Sequence, residues 1–117
     1  MNFEDIYKEN VMIICLSPDE SDKCREFLSE YGVKWASGQD VIDCDYWTSR
    51  TTRMGYVFHE WDNGDLRLYW EGDPSVLDNA AEYNYTAIMF NELNLTKAPV
   101  KEFDTSSLME LYQIIFR

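Results

Sequence analysis

The dipeptide Asn63-Gly64 constrains the fold of this chain more than any other feature. The segments on either side alternate in character, which predicts a two-residue β-hairpin with a type I′ turn. If the two residues beside the turn oppose each other, Glu60 lies opposite Arg67 as a cross-strand pair of opposite charge. The same register predicts a core face made of Val57, His59, Trp61, Leu66, Leu68 and Trp70.

An uninterrupted apolar segment, residues 11–16, predicts a central strand that is covered on both faces. Ser17 and Pro18 then favour a helix start, as N-cap and first helical position, and Gly32 is expected to end that helix. The polar positions of the helix, Arg25 among them, are expected to lie mostly away from the core. Its apolar stripe predicts the buried side: Cys24, Phe27, Leu28 and Tyr31.

The remaining segments give weaker signals. They favour a short helix near residues 3–9, an extended segment at 33–36, a loop over 41–53, a helical turn within 74–79, a strand at 85–90 and an amphipathic helix from residue 105 or 107. This order of elements predicts a single α+β domain over residues 1–117. We expect a mostly antiparallel sheet of about four to five strands with two or three helices packed on it.

The net charge of the chain limits which ligands it can bind. The chain has 22 acidic and 10 basic residues, which gives a formal net charge of −12. Nonspecific electrostatic binding to nucleic acid or to an anionic membrane requires a basic surface, so direct binding of either is excluded. The excess of acidic residues is unevenly distributed along the chain, because residues 54–96 contain eight acidic residues and a single basic one, Arg67.

This acidic segment is the predicted partner-binding surface. Carboxylates can take the place of phosphates by pairing with arginine, and aromatic side chains add contact area. The alternative is that the charge only keeps the protein dispersed in solution. We call the seven carboxylates of this surface the acidic pole, and Tyr69 is the aromatic residue predicted to bind with them: Glu60, Asp62, Asp65, Glu71, Asp73, Asp78 and Glu82.

The three cysteines form no CxxC pair and no even disulfide set, which indicates reduced thiols. With His59 they could supply a Cys₃His zinc site, since the predicted register places His59 on the core face beside Cys15 and Cys24. The spacing through Cys44 is not a zinc pattern, however, and a neutral core histidine is the alternative. We therefore predict no cofactor and keep zinc as a second possibility.

No catalytic signature is found in the sequence. Cys44 lies between Asp43 and Asp45, whose charges oppose thiolate formation, so a nucleophilic role is disfavoured and a non-enzymatic protein is expected. The first residues have no basic segment followed by an apolar one, and the longest apolar run is too short to span a bilayer. These features predict a cytoplasmic protein with no membrane contact.

The strand at residues 11–16, the helix through Cys24 and Leu28, and the Gly32-x-x-Trp35-x-x-Gly38 step resemble small proteins encoded by phages and mobile elements. With its size and acidity, the chain also resembles anti-CRISPR proteins, phage products that inactivate bacterial RNA-guided nucleases. The resemblance implies an inhibitor that binds a basic CRISPR effector nuclease in the host cell and blocks its DNA binding or cleavage as a DNA mimic. It assigns no functional residue.

Two other functions stay open at this point. One is a small zinc-binding regulatory protein built on His59 and the cysteines. The other is a homo-oligomeric interaction module that uses Trp47, Trp61 or Trp70 as anchors.

Overall fold

A computed structural model describes residues 3–93 of the protein. Four strands form one mixed sheet: β1 Val11–Cys15, β2 Met54–Asp62, β3 Asp65–Glu71 and β4 Thr86–Met89. Their order across the sheet is β3-β2-β1-β4. The β2 strand runs antiparallel to both β1 and β3, whereas β4 runs parallel to β1. With the helices described next, this confirms the predicted α+β fold.

The helices are α1 Phe3–Ile6, α2 Pro18–Glu30 and α3 Pro74–Asp78, and three short 3₁₀ turns cover Val41–Asp43, Ala80–Tyr83 and Phe90–Glu92. Both predicted ends of α2 are confirmed. The Ser17 hydroxyl accepts the Glu20 backbone N–H at 3.1 Å. Gly32, at φ +78°, donates its N–H to the Ser29 carbonyl at 2.9 Å and closes the helix. The predicted tail helix lies outside the described residues.

Each face of the sheet has its own apolar cluster. The α2 helix covers one face, where Cys24 and Leu28 pack with Ile13 and with the β2 and β3 side chains. The α3 helix is much shorter and covers part of the opposite face, where Leu77 packs on Met12. Because β1 contributes side chains to both clusters and is buried throughout, the predicted strand covered on both faces is confirmed.

Gly55 permits the close approach of α3 to the sheet. A Cβ atom at this position would lie 2.6 Å from the sulfur of Met12 and 2.9 Å from a methyl group of Leu77. A side chain at this position would displace Met12 and Leu77, so glycine leaves the space that these two side chains fill.

The hairpin turn is confirmed, with positive φ at both Asn63 and Gly64. The predicted register, however, is wrong within β2. Trp61 forms a bulge, so that Glu60 pairs with Leu66 and the remaining pairs shift by one residue.

Side chains alternate between the two faces of a strand, so a shift of one residue reverses which β2 side chains face α2. Tyr56 and Phe58 therefore belong to the α2-side cluster, and Val57 lies on the α3 side. His59 is only half-buried, while Trp61 is exposed, so neither belongs to the predicted core face.

The predicted outward position of Arg25 is also wrong. Arg25 retains only 4% of its surface, because the loop after α2 supplies partners for its charge. Its guanidinium pairs with Asp22 within the helix, lies 3.6 Å from Asp45, and donates to the Val41 carbonyl at 3.4 Å. Arg25 thereby fastens the loop over residues 41–45 to α2.

Candidate interaction surface

The acidic pole forms two groups at opposite ends of the hairpin. A tip group lies beside the turn, and a base group follows the far end of β3. The strand between them, Asp65–Glu71, spans about 20 Å at the usual rise of a β-strand. The tip group consists of Glu60, Asp62 and Asp65, and the base group of Glu71, Asp73, Asp78 and Glu82.

The three residues of the tip group are all exposed. Asp62 and Asp65 are direct cross-strand partners. The Glu60 carboxylate accepts the Gly64 N–H at 3.1 Å and closes the turn. Within residues 3–93, no basic side chain lies within ion-pair distance of these three carboxylates. Since like charges placed opposite each other destabilise a hairpin, the tip concentrates negative potential at a small cost in stability.

Most of the base group has local partners. Asp73 is the N-cap of α3 and accepts the Ser75 N–H at 2.9 Å, while the Glu71 carboxylate accepts the Asp73 N–H at 3.0 Å. Asp78 forms a two-point ion pair with Arg53, and this hydrogen bonding lowers the pKa of Asp78. Arg53 therefore neutralises one of the seven predicted carboxylates, whereas the hydrogen bonds of Glu71 and Asp73 come from uncharged groups.

Arg67 lies between the two groups, and its predicted pairing with Glu60 is wrong. Its guanidinium is 5.3 Å from the centre of the Trp61 ring and donates to the carbonyl oxygens of Trp35 and Ala36, at 3.4 and 3.2 Å. The carbonyl contacts help to hold residues 34–36 against the outer edge of β3, where Leu68 donates to Lys34 and accepts from Ala36.

A second surface feature is an aromatic groove of about 290 Å³ beside β3. The Tyr46 ring lies edge-on to Trp35 at 4.9 Å and stacks on Trp70 at 5.4 Å, so the three rings form a continuous series. Trp70 was predicted to be in the core, yet 48% of its surface is exposed. The groove is lined mainly by Trp35, Tyr46, Leu68, Tyr69 and Trp70.

Local contacts fix the groove side chains. The Trp35 indole donates to the Cys44 carbonyl at 3.2 Å, which joins the loop to the edge of the sheet. A hydrogen bond with the Cys44 thiol raises the pKa of Tyr46 above its usual value. Gly72 leaves room for Trp70, because a Cβ there would lie 3.2 Å from the indole ring.

The four zinc candidates do not come together. Cys15 and Cys24 are fully buried on the α2 side, and their mutual hydrogen bond, together with burial, strongly raises the pKa of Cys15. Cys44 lies in the loop, half-buried. His59 lies beyond the core, with Nδ1 3.2 Å from a Glu9 oxygen.

The predicted juxtaposition of His59 with the buried thiols is therefore wrong, because it depended on the regular hairpin register. His59 instead packs edge-on against Tyr69 at 5.1 Å. Across the described part of the chain, no three His, Cys, Asp or Glu side chains are grouped in a way that could hold a metal ion.

The tryptophans considered as anchors differ in exposure. Trp61 and Trp70 expose 53% and 48% of their surfaces, whereas Trp47 is half-buried against the α2-side cluster. Two of the three therefore have the exposure that an anchor requires.

No protein-family model, curated protein or solved structure matches this chain. Among the helices of residues 3–93, none combines the length and the apolar character needed to cross a membrane.

Sequence reasoning missed the groove. The sequence predicts a short extended segment at Trp35 and a loop at Tyr46, with no binding role for either residue. The one available signal was the concentration of aromatic residues over positions 46–47 in a segment without periodicity.

Proposed function

We propose that the protein is a non-enzymatic inhibitor that binds a basic, nucleic-acid-handling protein of a bacterial host through its acidic pole. The observation that carries the proposal is the tip pair, Asp62 opposite Asp65. These carboxylates are exposed, form no ion pair with another residue of the range 3–93, and are unfavourable to each other, so they supply charge that the described part of the fold does not use. An RNA-guided nuclease in the host cytoplasm is the proposed partner, since such proteins hold nucleic acid in a positively charged channel.

The separation of the two groups supports contact with phosphate sites along one nucleic-acid strand. Phosphates follow one another about every 3.4 Å on a strand, so two groups about 20 Å apart match sites roughly six phosphates apart. Asp78 is paired with Arg53, which leaves six carboxylates of the pole without an ion pair inside residues 3–93. We therefore propose that the pole takes the place of phosphates along one strand of the channel, where arginine can bind carboxylates at two points.

Two of the three thiols are inaccessible to a substrate. A cysteine nucleophile acts as the thiolate, and it needs access to its substrate. Cys15 and Cys24 have no exposed surface, and the pKa of Cys15 is raised. Neither thiol is therefore suited to attack a substrate.

Size-exclusion chromatography of the protein mixed with guide-loaded nucleases tests this function. We expect co-elution at low salt that weakens as salt increases, because exposed charges are screened. Absence of a complex at low salt across several nuclease types would contradict the proposal.

Charge reversal at the tip provides the residue-level test. Asp62→Lys together with Asp65→Lys should slow association roughly tenfold or more, since complementary charge mainly sets the association rate. Asp73 is unsuited to reversal because it caps α3. Glu26→Lys is the matched control, because Glu26 is exposed on α2 and its reversal changes the net charge by the same amount as one tip reversal. An equal loss of association rate per reversed residue, at the tip and at Glu26, would show that only net charge matters and would contradict a role for the pole.

A further inference from the structure

The outer half of the hairpin extends past the central strand. The last β2 residue that pairs with β1 is Val57, whereas β2 continues to Asp62 and β3 begins at Asp65. Two strands that pair only with each other are marginally stable and twist more strongly than strands inside a sheet. The tip group of carboxylates lies at the end of this half, so it needs other contacts to keep a fixed position.

The segment just before β1, residues 7–10, supplies such contacts, and we call it the strap. On β3, the Tyr7 hydroxyl accepts the Leu66 N–H at 3.2 Å and donates to the Leu66 carbonyl at 3.3 Å. The Tyr7 ring packs edge-on against Phe58 at 5.3 Å and stacks on Phe3 of α1 at 4.9 Å, which holds the phenol in place. One side chain of the strap thus satisfies both backbone hydrogen-bonding groups of Leu66.

The strap also holds β2. One oxygen of the Glu9 carboxylate accepts the Glu60 N–H at 2.6 Å, and the other lies 3.2 Å from Nδ1 of His59. The Asn10 N–H donates to the Phe58 carbonyl at 2.7 Å. The strap therefore contacts both strands of the outer hairpin, and on β2 these contacts reach Glu60, beside the bulge.

These contacts fix the tip group relative to the base group, which lies about 20 Å away along β3. Charges that are already in place lose less entropy on binding than charges that must first be ordered. We infer that Tyr7 and Glu9 are positioning residues, which keep the two groups of the acidic pole at a constant separation. The pole then recognises a folded basic surface with two cationic sites at that separation, and discriminates against a flexible basic segment. This inference rests on the proposed function, because it specifies the kind of surface that the partner presents.

Peptides with two spaced pairs of arginines test the inference. Polyproline rises about 3.1 Å per residue, so a linker of six prolines holds the pairs about 19 Å apart and a linker of two prolines holds them much closer. A Gly-Ser linker of six residues leaves the separation variable. Fluorescence anisotropy of the labelled peptides with the full chain at low salt measures binding. We expect the six-proline peptide to bind roughly three- to tenfold more tightly than either of the others, and equal binding of all three would overturn the inference.

Tyr7→Phe removes only the hydroxyl and leaves the net charge unchanged. It should abolish most of the preference for the six-proline peptide, and should speed amide exchange at Leu66, measured by NMR, roughly three- to tenfold. Tyr83→Phe is the matched control, because Tyr83 is exposed and lies outside the hairpin, and it should keep the preference. A preference as large in Tyr7→Phe as in the wild type would contradict the role of Tyr7.

Glu9→Gln and Glu9→Ala form a second matched pair, because the two substitutions change the net charge equally. Glutamine keeps an oxygen that can accept the Glu60 N–H, whereas alanine does not. We therefore expect Glu9→Gln to retain the preference for the six-proline peptide and Glu9→Ala to lose it. Equal effects of the two substitutions would show that Glu9 acts only through its charge, which contradicts a positioning role.

The peptide and nuclease experiments can fail separately. If no nuclease co-elutes while the wild type prefers the six-proline peptide and Tyr7→Phe does not, the proposed function is wrong and the positioning role stands. If a nuclease co-elutes and the wild type binds all three peptides equally, the proposed function stands and the positioning role is wrong.

Discussion

The two ends of the β2–β3 hairpin differ in what holds them. At the base, residues 54–58 are all buried, and most of them pair with β1 on one side and β3 on the other. At the tip, residues 60–65 are all exposed, and turn contacts such as the bond from Gly64 to Glu60 hold them. The base therefore supplies stability and the tip supplies charge, so substitutions at the two ends should change different properties.

The largest expected loss of stability comes from Arg25, which holds the loop that carries Tyr46 beside the base. Arg25→Ala removes a bond to the Val41 carbonyl and pairing with two carboxylates, and should lower the free energy of unfolding by about 2–3 kcal/mol. Lys23→Ala removes an exposed ion pair from the same helix and should cost at most about 0.5 kcal/mol. Urea denaturation compares the two, and equal losses would contradict the support role of Arg25.

Gly55→Ala tests the base directly. The added methyl group would collide with the side chains of Met12 and Leu77, so these side chains must shift, at a cost of about 1–3 kcal/mol. The shift of the urea midpoint measures this loss. A variant as stable as the wild type would show that the contact between α3 and the sheet is not tightly packed.

Gly64→Ala is the corresponding change at the tip. No atom lies within 4 Å of the added Cβ, so the expected loss of about 1 kcal/mol comes from the positive φ of +86° alone. Gly64→Asn should cost less, because asparagine tolerates this backbone conformation. Similar losses for alanine and asparagine would argue against backbone strain as the cause.

Lowering the pH should destabilise the protein through Asp40, which supports the base of the hairpin. Its carboxylate accepts the Ser29 hydroxyl at 2.6 Å and the Ile42 N–H at 3.1 Å, and these bonds lower its pKa below the usual 3.8. A carboxyl whose pKa is lowered on folding contributes stability above its unfolded pKa and loses it as pH falls through the folded pKa. Urea midpoints measured below about pH 4 should therefore fall less steeply in Asp40→Asn than in the wild type. Parallel curves would rule out a contribution from Asp40.

The smallest expected change in the free energy of unfolding is a gain and not a loss. Asp62→Lys replaces a like-charge pair with Asp65 by an attractive one, and should raise the free energy of unfolding by roughly 0.2–1 kcal/mol. The same substitution is expected to weaken binding of the basic partner. Thermal denaturation and binding measured on one preparation would test both statements, and a loss of stability would contradict the unfavourable tip pair.

Features with local causes could be predicted from the sequence. The Asn63-Gly64 turn, the ends of α2 and the doubly covered β1 each depend on residues close together in the chain, and all three are confirmed. The hairpin register could not be predicted in this way. The Tyr7 hydroxyl bonds to both the N–H and the carbonyl of Leu66, so a residue 59 positions away contacts the strand opposite the bulge.

The candidate site likewise combines features that the sequence predicts with features that it does not predict. The seven carboxylates and their excess over basic residues could be read from the sequence, because acidic side chains usually stay exposed. The pairing of Asp78 with Arg53 could not, since 25 positions separate them and only the fold brings them together. The groove needed three separate segments, which contribute Trp35, Tyr46 and Trp70.

The last pair between β2 and β1 is Val57 with Met12, and the bulge at Trp61 lies beyond it. Beyond this pair the outer part of the hairpin has no partner in β1, and contacts from the segment before β1 hold it instead. The Glu9 carboxylate accepts the Glu60 N–H, and the Tyr7 hydroxyl bonds to Leu66. Residues 61–65 take part in none of these contacts, so substitutions there should leave the pairing with the central strand unchanged. Under the proposed function, such substitutions would change which basic partner is bound while one core is kept.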